Sequence, residues 1–355
     1  MFWAILPVLL GLLAFPKETL AAAQDGALLW WTRVFPALVP YLIVTGLAAR
    51  TRPQPLRIGK LHPLATSAFL LGTLGGYPVG ARLLGDAQAS GLLSAREAQR
   101  FSYAASLPSP AFLISVTAIG LFENARTALP LCGAVYLTAI GAFLLFSRAE
   151  AAFLPPPAAP RPSVASALTD AIGDGMNAIL RIGGCIVLCR VIAALLVCLR
   201  LPLLLCRVLP VSEQIAEAVF NGILEMTSGC TLASALPLPL SLRLSLCTFF
   251  LLFGGASVLL QMNSFLPFPS LWRCLIVRAL MAFFGALLCF FLCALLLPDT
   301  AVETMAPARM ALRRTEQLLS LLVPCGMGLL TALYFVVLLK PASNRAEASD
   351  KPARK

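Results

Sequence analysis

The sequence predicts an all-α polytopic membrane protein with roughly eight or nine membrane segments, two of them broken or re-entrant, in two related halves. Three observations carry that prediction. Only 12% of the 355 residues are charged, about half the share of a typical soluble domain. Apolar runs of about 20 residues with few charges, enough for a bilayer, recur along the chain. Finally, residues 74–84 (LGGYPVGARLL) and 221–231 (NGILEMTSGCT), one in each half, set glycines beside a proline or polar cluster inside apolar surroundings. Freed backbone N–H and C=O groups find no water in hydrocarbon, so such breaks are tolerated only against protein or a watery cavity. Broken segments at corresponding places in two halves point to a transporter's binding site.

Taken in order, residues 2–15 form a short apolar segment. Ala21-Ala22-Ala23 resembles a cleavage site, yet nothing basic precedes Lys17. A secretory signal carries positive charge ahead of its apolar core, so a retained first segment is expected. Residues 27–49 hold Arg33 and two prolines, and residues 63–84 and 102–122 are apolar but broken. Between the latter two, Ser94 and Glu97 form a capping box that starts a polar surface helix. Leu107-Pro108-Ser109-Pro110 cannot continue it. Residues 127–146, 182–199, 244–260, 278–297 and 318–339 are the clearest spans.

Residues 148–163 hold five prolines, a stiff and non-helical linker. It divides the chain into an N-terminal membrane half, 1–147, and a C-terminal half, 164–297, with a final span and basic tail over 298–355. Each half runs in the same order: a polar-marked helix, a glycine-broken segment, then two apolar spans.

The net charge of +11 does not point to nucleic acid. Arg50, Arg52, Arg57 and Lys60 sit at a segment end, as do Lys340, Arg345, Lys351, Arg354 and Lys355. Membrane proteins hold basic residues in the cytoplasm this way, so the tail is expected in the cytosol and residues 298–317 outside. Eleven cysteines raise metal or redox chemistry, but no CxxC occurs and His62 is the only histidine. The cysteines are expected as small buried hydrophobes, with neither metal nor cofactor.

Four stretches and Arg190 hold the candidate functional residues. Asp170, Asp174, Asn177 and Arg181 share one helical face by spacing, either a solvated interfacial face or a lining of the substrate path. Glu213, Glu217, Asn221 and Glu225 recur every four residues. Glu225 differs, because apolar residues flank it and Thr227-Ser228-Gly229 breaks the run after it. A carboxylate in the membrane is costly and by default a functional-site candidate. It is either a proton-coupling group or a hydrogen-bonding brace for broken backbone. Arg190, deep in its span, either pairs with an acid such as Glu225, meets an anionic substrate, or belongs to a tilted span. In 74–84, Gly75 and Gly76 permit unwound backbone and Tyr77-Pro78 fixes it. Gly80-Ala81-Arg82 then restarts a helix whose N-terminus is an anion site, with Arg82 adding charge; a tightly packed kink is the alternative. Gly254-Gly255, with Ser257 and Gln261, forms a third polar notch or a helix-packing face. No nucleophile–base–orienter set, phosphate loop or dinucleotide fingerprint occurs, so an enzyme is not expected.

Together these segments resemble the sporulation integral membrane proteins of the YlbJ type, a family carrying the nucleoside-recognition Gate domain. The likeness runs through FPKE at 15–18, LWWTRVFP at 29–36, GYPVGA at 76–81, RIGG at 181–184, GILEMTSG at 222–229 and GASVLLQ at 255–261. The resemblance implies a spore-former protein in the cell membrane or the outer forespore membrane. There it would carry dipicolinic acid from mother cell to forespore. The Gate domain is also similar to part of concentrative nucleoside transporters. One departure stands out: after the capping-box helix the family has an Asn-rich stretch, where this chain reads AASLPSPAF at 104–112. The expected function is transport of a small organic anion, most specifically dipicolinate, by a protein surrounded by lipid. A non-transporting sporulation scaffold and a nucleoside-type carrier are the alternatives.

Overall fold

A computed structural model describes residues 2–51, 60–148, 163–202, 206 and 211–297 of the chain. The span predicted at 318–339 and most of the predicted linker lie outside the described residues. Among the described residues every named element is a helix.

The chain opens with α1 (Phe2–Ala14) and α2 (Pro16–Leu29), the latter running through a π turn, Trp30–Val34, into α3 (Phe35–Thr51). Pro36 has no N–H to give the ladder, and the wider i→i+5 bond from Phe35 N–H to Trp30 O takes up the slack. Next come α4 (Pro63–Gly75) and α5 (Val79–Ala89) on either side of the first break. The expected capping box starts α6 (Ala95–Ala105): Ser94 accepts from the Glu97 N–H, and the Glu97 carboxylate accepts from the Ser94 N–H. The Ser94 hydroxyl also bonds that carboxyl and holds it below the usual range. After Pro108 and Pro110 the chain forms a π-helix, Phe112–Leu121, and then α7 (Ala128–Phe146).

The second half begins with α8 (Val164–Cys198), capped by Ser163. Then α9 (Glu213–Leu224) and α10 (Met226–Ser234) flank the second break. A left-handed Gly254 separates α11 (Leu240–Phe253) from α12 (Gly255–Phe265), and α13 (Leu271–Leu296) starts at a Ser270 cap.

Five stretches among the described residues are long and apolar enough to cross a membrane: α2 through α3, residues 125–146, α8, α11 with α12, and α13. The segments at 63–84 and 102–122, expected to be broken, fold as short pieces, of which α4 and the π-helix are apolar but under span length. On α13, Phe283, Phe284 and Phe291 are each more than half exposed while Arg278, Ala282 and Cys289 are buried. An apolar stripe of that kind is unfavourable in water and at home against lipid tails. The chain is a polytopic helical membrane protein.

Within the fold, α8 packs along α2 and α3, while α13 packs on α11 and α7. One core cluster runs between these groups, from Val34 and Leu38 through Ile182 and Ile186 to Phe250 and Leu251. The candidate site lies where the broken helices enter that core.

Candidate functional site

Interruptions in four places meet around one cavity. Gly76 and Tyr77 come from the α4–α5 break, and Pro108 and Ser109 from the turn before the π-helix. Glu225 and Thr227 come from the α9–α10 break, and Ser257 and Gln261 from the first turns of α12. Val34, Leu38, Ile182 and Ile186 close the opposite wall. The cavity measures about 30 Å³, room for about one or two waters. Residues expected from sequence in three separate notches thus share one wall.

Local physics sets each break. Gly76 has φ +76°, and a Cβ there would sit 2.9 Å from Ser109, so the position needs glycine both for its backbone and for contact with the next broken segment. Gly75, Gly80 and Gly229 line none of the cavities described here. Their hypothetical Cβ atoms would meet Thr45 Oγ1, the Ala105 carbonyl and Gly222 Cα respectively. Those glycines let helices touch.

Glu225 ends α9 and caps α10. Its Oε1 accepts from Thr227 N–H at 2.9 Å, and its Oε2 accepts from Ser228 N–H at 2.6 Å and the Ser228 hydroxyl at 2.8 Å. The residue is 2% exposed. A carboxylate here answers both the orphan N–H groups and the positive end of the α10 dipole. Arg190 reaches the same cluster indirectly: its Nε donates to Ser228 Oγ at 2.9 Å. The expected Arg190–Glu225 pairing is therefore bridged by a hydroxyl.

Arg82 lies elsewhere. It donates to Asp174 Oδ2 at 2.6 Å, and Arg50 donates to the same oxygen. These three line an outer cavity of about 280 Å³ whose wall includes Pro78 and Phe265. A neighbouring cavity, lined by Arg181 and Gln261 among others, shares Pro78, Ala178 and Phe265 with it. Along α8, Asp174 turns inward while Asp170 and Asn177 stay exposed, and Asn177 lines none of these cavities.

Sequence reasoning missed Arg278. Its side chain is the largest among those fully buried in the described residues, at 1% exposure. Nε donates to Phe253 O at 2.8 Å, Nη2 to Leu252 O at 2.6 Å and to the Tyr77 hydroxyl, and Nη1 to Ser106 O at 3.3 Å. Tyr77 in turn donates to Leu251 O at 2.9 Å. The cation sits against carbonyls at the C-terminal ends of α11 and α6, where helix dipoles favour positive charge. It ties the first break to the third. The available signal was Ser270, a helix cap that places Arg278 two turns inside the span rather than at its start.

Fold and cavity together define a multispan helical membrane protein with interrupted helices converging in its core. Its sequence is similar to that of the sporulation integral membrane protein YlbJ of Bacillus subtilis (strain 168), with 25% identity over 293 residues, 72% of each chain. No family model matches the chain, and no solved structure matches it.

Proposed function

We propose that the protein carries a small organic anion across a membrane, most specifically dipicolinic acid into the forespore from the cell membrane or outer forespore membrane. The observation that carries the reading is the convergence of broken helices on one cavity. The first turns of α10, α12 and the π-helix all contribute to its wall or abut it. The N-terminus of α10 is already met by Glu225 and that of the π-helix by Ser109, which leaves the first turn of α12, where Ser257 lines the cavity, to meet an anionic group of a substrate. The name of the Bacillus relative supports the setting, and the resemblance at residues 76–81 and 222–229 supports the cargo.

In this reading the central cavity is too narrow for the cargo as it stands. At about 30 Å³ it does not admit an organic acid until helices separate. The same observation favours a second reading, a membrane scaffold of the sporulation machinery that carries nothing. Deleting the gene in its spore-forming host separates the two. A carrier predicts normal dipicolinate synthesis with spores that fail to accumulate it. Normal spore dipicolinate in the deletion strain overturns the carrier reading.

A further inference from the structure

We propose that the outer cavity is a binding station for the carboxylate of a small aromatic acid, and that Asp174 is the resident carboxylate which the incoming one displaces. The ligand class rests on the carrier reading above. The geometry does not.

Arg50 from α3 and Arg82 from α5 converge on a single oxygen, Asp174 Oδ2, from α8. A guanidinium pairs best with a carboxylate through two parallel N–H···O bonds to both oxygens. Here two guanidinium groups share one oxygen, and Asp174 Oδ1 accepts no hydrogen bond among the described residues. Neither fork is used in its preferred way. A second carboxylate would engage both arginines more fully than Asp174 does.

The surroundings fit an aromatic acid. The cavity, about 280 Å³, is near the lower end of pockets that hold small ligands. Its wall includes Leu42, Val79, Leu83, Ala178 and Phe265, apolar surface for a ring beside the two cations. Asp86 also lines it, exposed four residues beyond Arg82. In the adjoining cavity Arg181 lies over the Phe265 ring at 5.2 Å and makes no ion pair among the described residues. Three guanidinium groups therefore face two carboxylates across the joined cavities, leaving net positive charge. Gln261 borders both that adjoining cavity and the central one.

If Asp174 competes for the arginines, the apparent affinity is reduced by the fraction of time they are free of it, and removing the competitor restores it. With the arginines free about a tenth of the time, Asp174→Asn binds about tenfold more tightly. The test is equilibrium binding of pyridine-2,6-dicarboxylate and, separately, benzoate to full-length protein in lipid nanodiscs. The proposal expects Asp174→Asn to tighten binding of at least one probe about tenfold, and Arg50→Gln and Arg82→Gln to weaken it. A folded Asp174→Asn protein that binds no more tightly than wild type overturns it. So does unchanged binding in both arginine variants, which remains decisive should Asp174→Asn not fold. Benzoate binding that follows this pattern without any binding of the dicarboxylate upholds the station while sinking dipicolinate as the cargo.

Discussion

Glu225 and Arg278 are opposite charges buried at opposite kinds of helix end, and neither needs the other. The carboxylate caps the start of α10, and the guanidinium gathers carbonyls at the ends of α11 and α6. The geometry of Glu225 bears on whether it moves protons. All three of its hydrogen bonds come from donors, so a side chain with one oxygen and one NH2 must turn a donor toward a donor. Glu225→Gln is expected to cost about 2 kcal/mol of stability, from one unmet buried bond and a weakened dipole interaction. Thermal unfolding of the purified protein in detergent checks this. Unchanged stability with loss of pH-dependent transport would instead mark Glu225 as a coupling group. The sequence made Glu225 visible because a carboxylate in apolar surroundings is rare. It could not show the three donors, since these form only once Thr227 and Ser228 wind into the first turn of a new helix. Arg82 illustrates the converse: its position beside a break was legible, but its partner Asp174 is 92 residues away.

At the scale of elements, glycine composition was legible and glycine purpose was not. Within residues 74–84 one helix ends at Gly75 and the next starts at Val79, yet only Gly76 has the left-handed backbone there. Gly72 and Gly80 serve close approach, since a Cβ on either would lie about 2 Å from the Ala105 carbonyl, the C-terminal residue of α6. Gly80→Ala must push α5 and α6 apart and is expected to destabilise by about 1–3 kcal/mol. Gly141 in α7 is the matched control, because a Cβ there meets nothing within 4 Å. Gly141→Ala is expected to stabilise by about 0.5–1 kcal/mol through reduced backbone entropy. Unfolding of the two variants side by side gives opposite shifts. Loss of stability in both would mean that helix backbone, rather than the α5–α6 contact, sets the cost. Span lengths carry the same lesson. The clear spans at 127–146, 182–199 and 278–297 fall on α7, α8 and α13, each overrunning its helix by a single residue, because a long apolar run has few other folds. The run at 244–260 holds the left-handed Gly254, which the Gly254-Gly255 pair marks in the sequence and the hydropathy does not.

The molecule as a whole places its central and outer cavities between the packed group of α2, α3 and α8 and the short broken helices. Val34, Leu38, Ile182 and Ile186 present the first group to the central cavity, and Tyr77, Thr227, Ser257 and Gln261 present the short broken helices opposite. A carrier must open this narrow cavity alternately to either side, so elements around it must slide or rock. The α3–α8 contact is the place to stop that motion. There Arg50 and Asp174 join the two helices, and one turn earlier a Cβ on Gly46 would lie 3.5 Å from the Ala171 Cβ. That separation lies within the range a disulfide bridges, about 3.5–4.5 Å. Replacing both residues with cysteine and oxidising the pair is expected to arrest dipicolinate uptake by vesicles holding the protein, with a reductant restoring it. Each single cysteine variant should transport under both conditions. Uptake that continues with the cross-link formed, shown by a mass shift on reduction, would mean that α3 and α8 travel together as one rigid group. The opening motion would then belong to the short broken helices facing them.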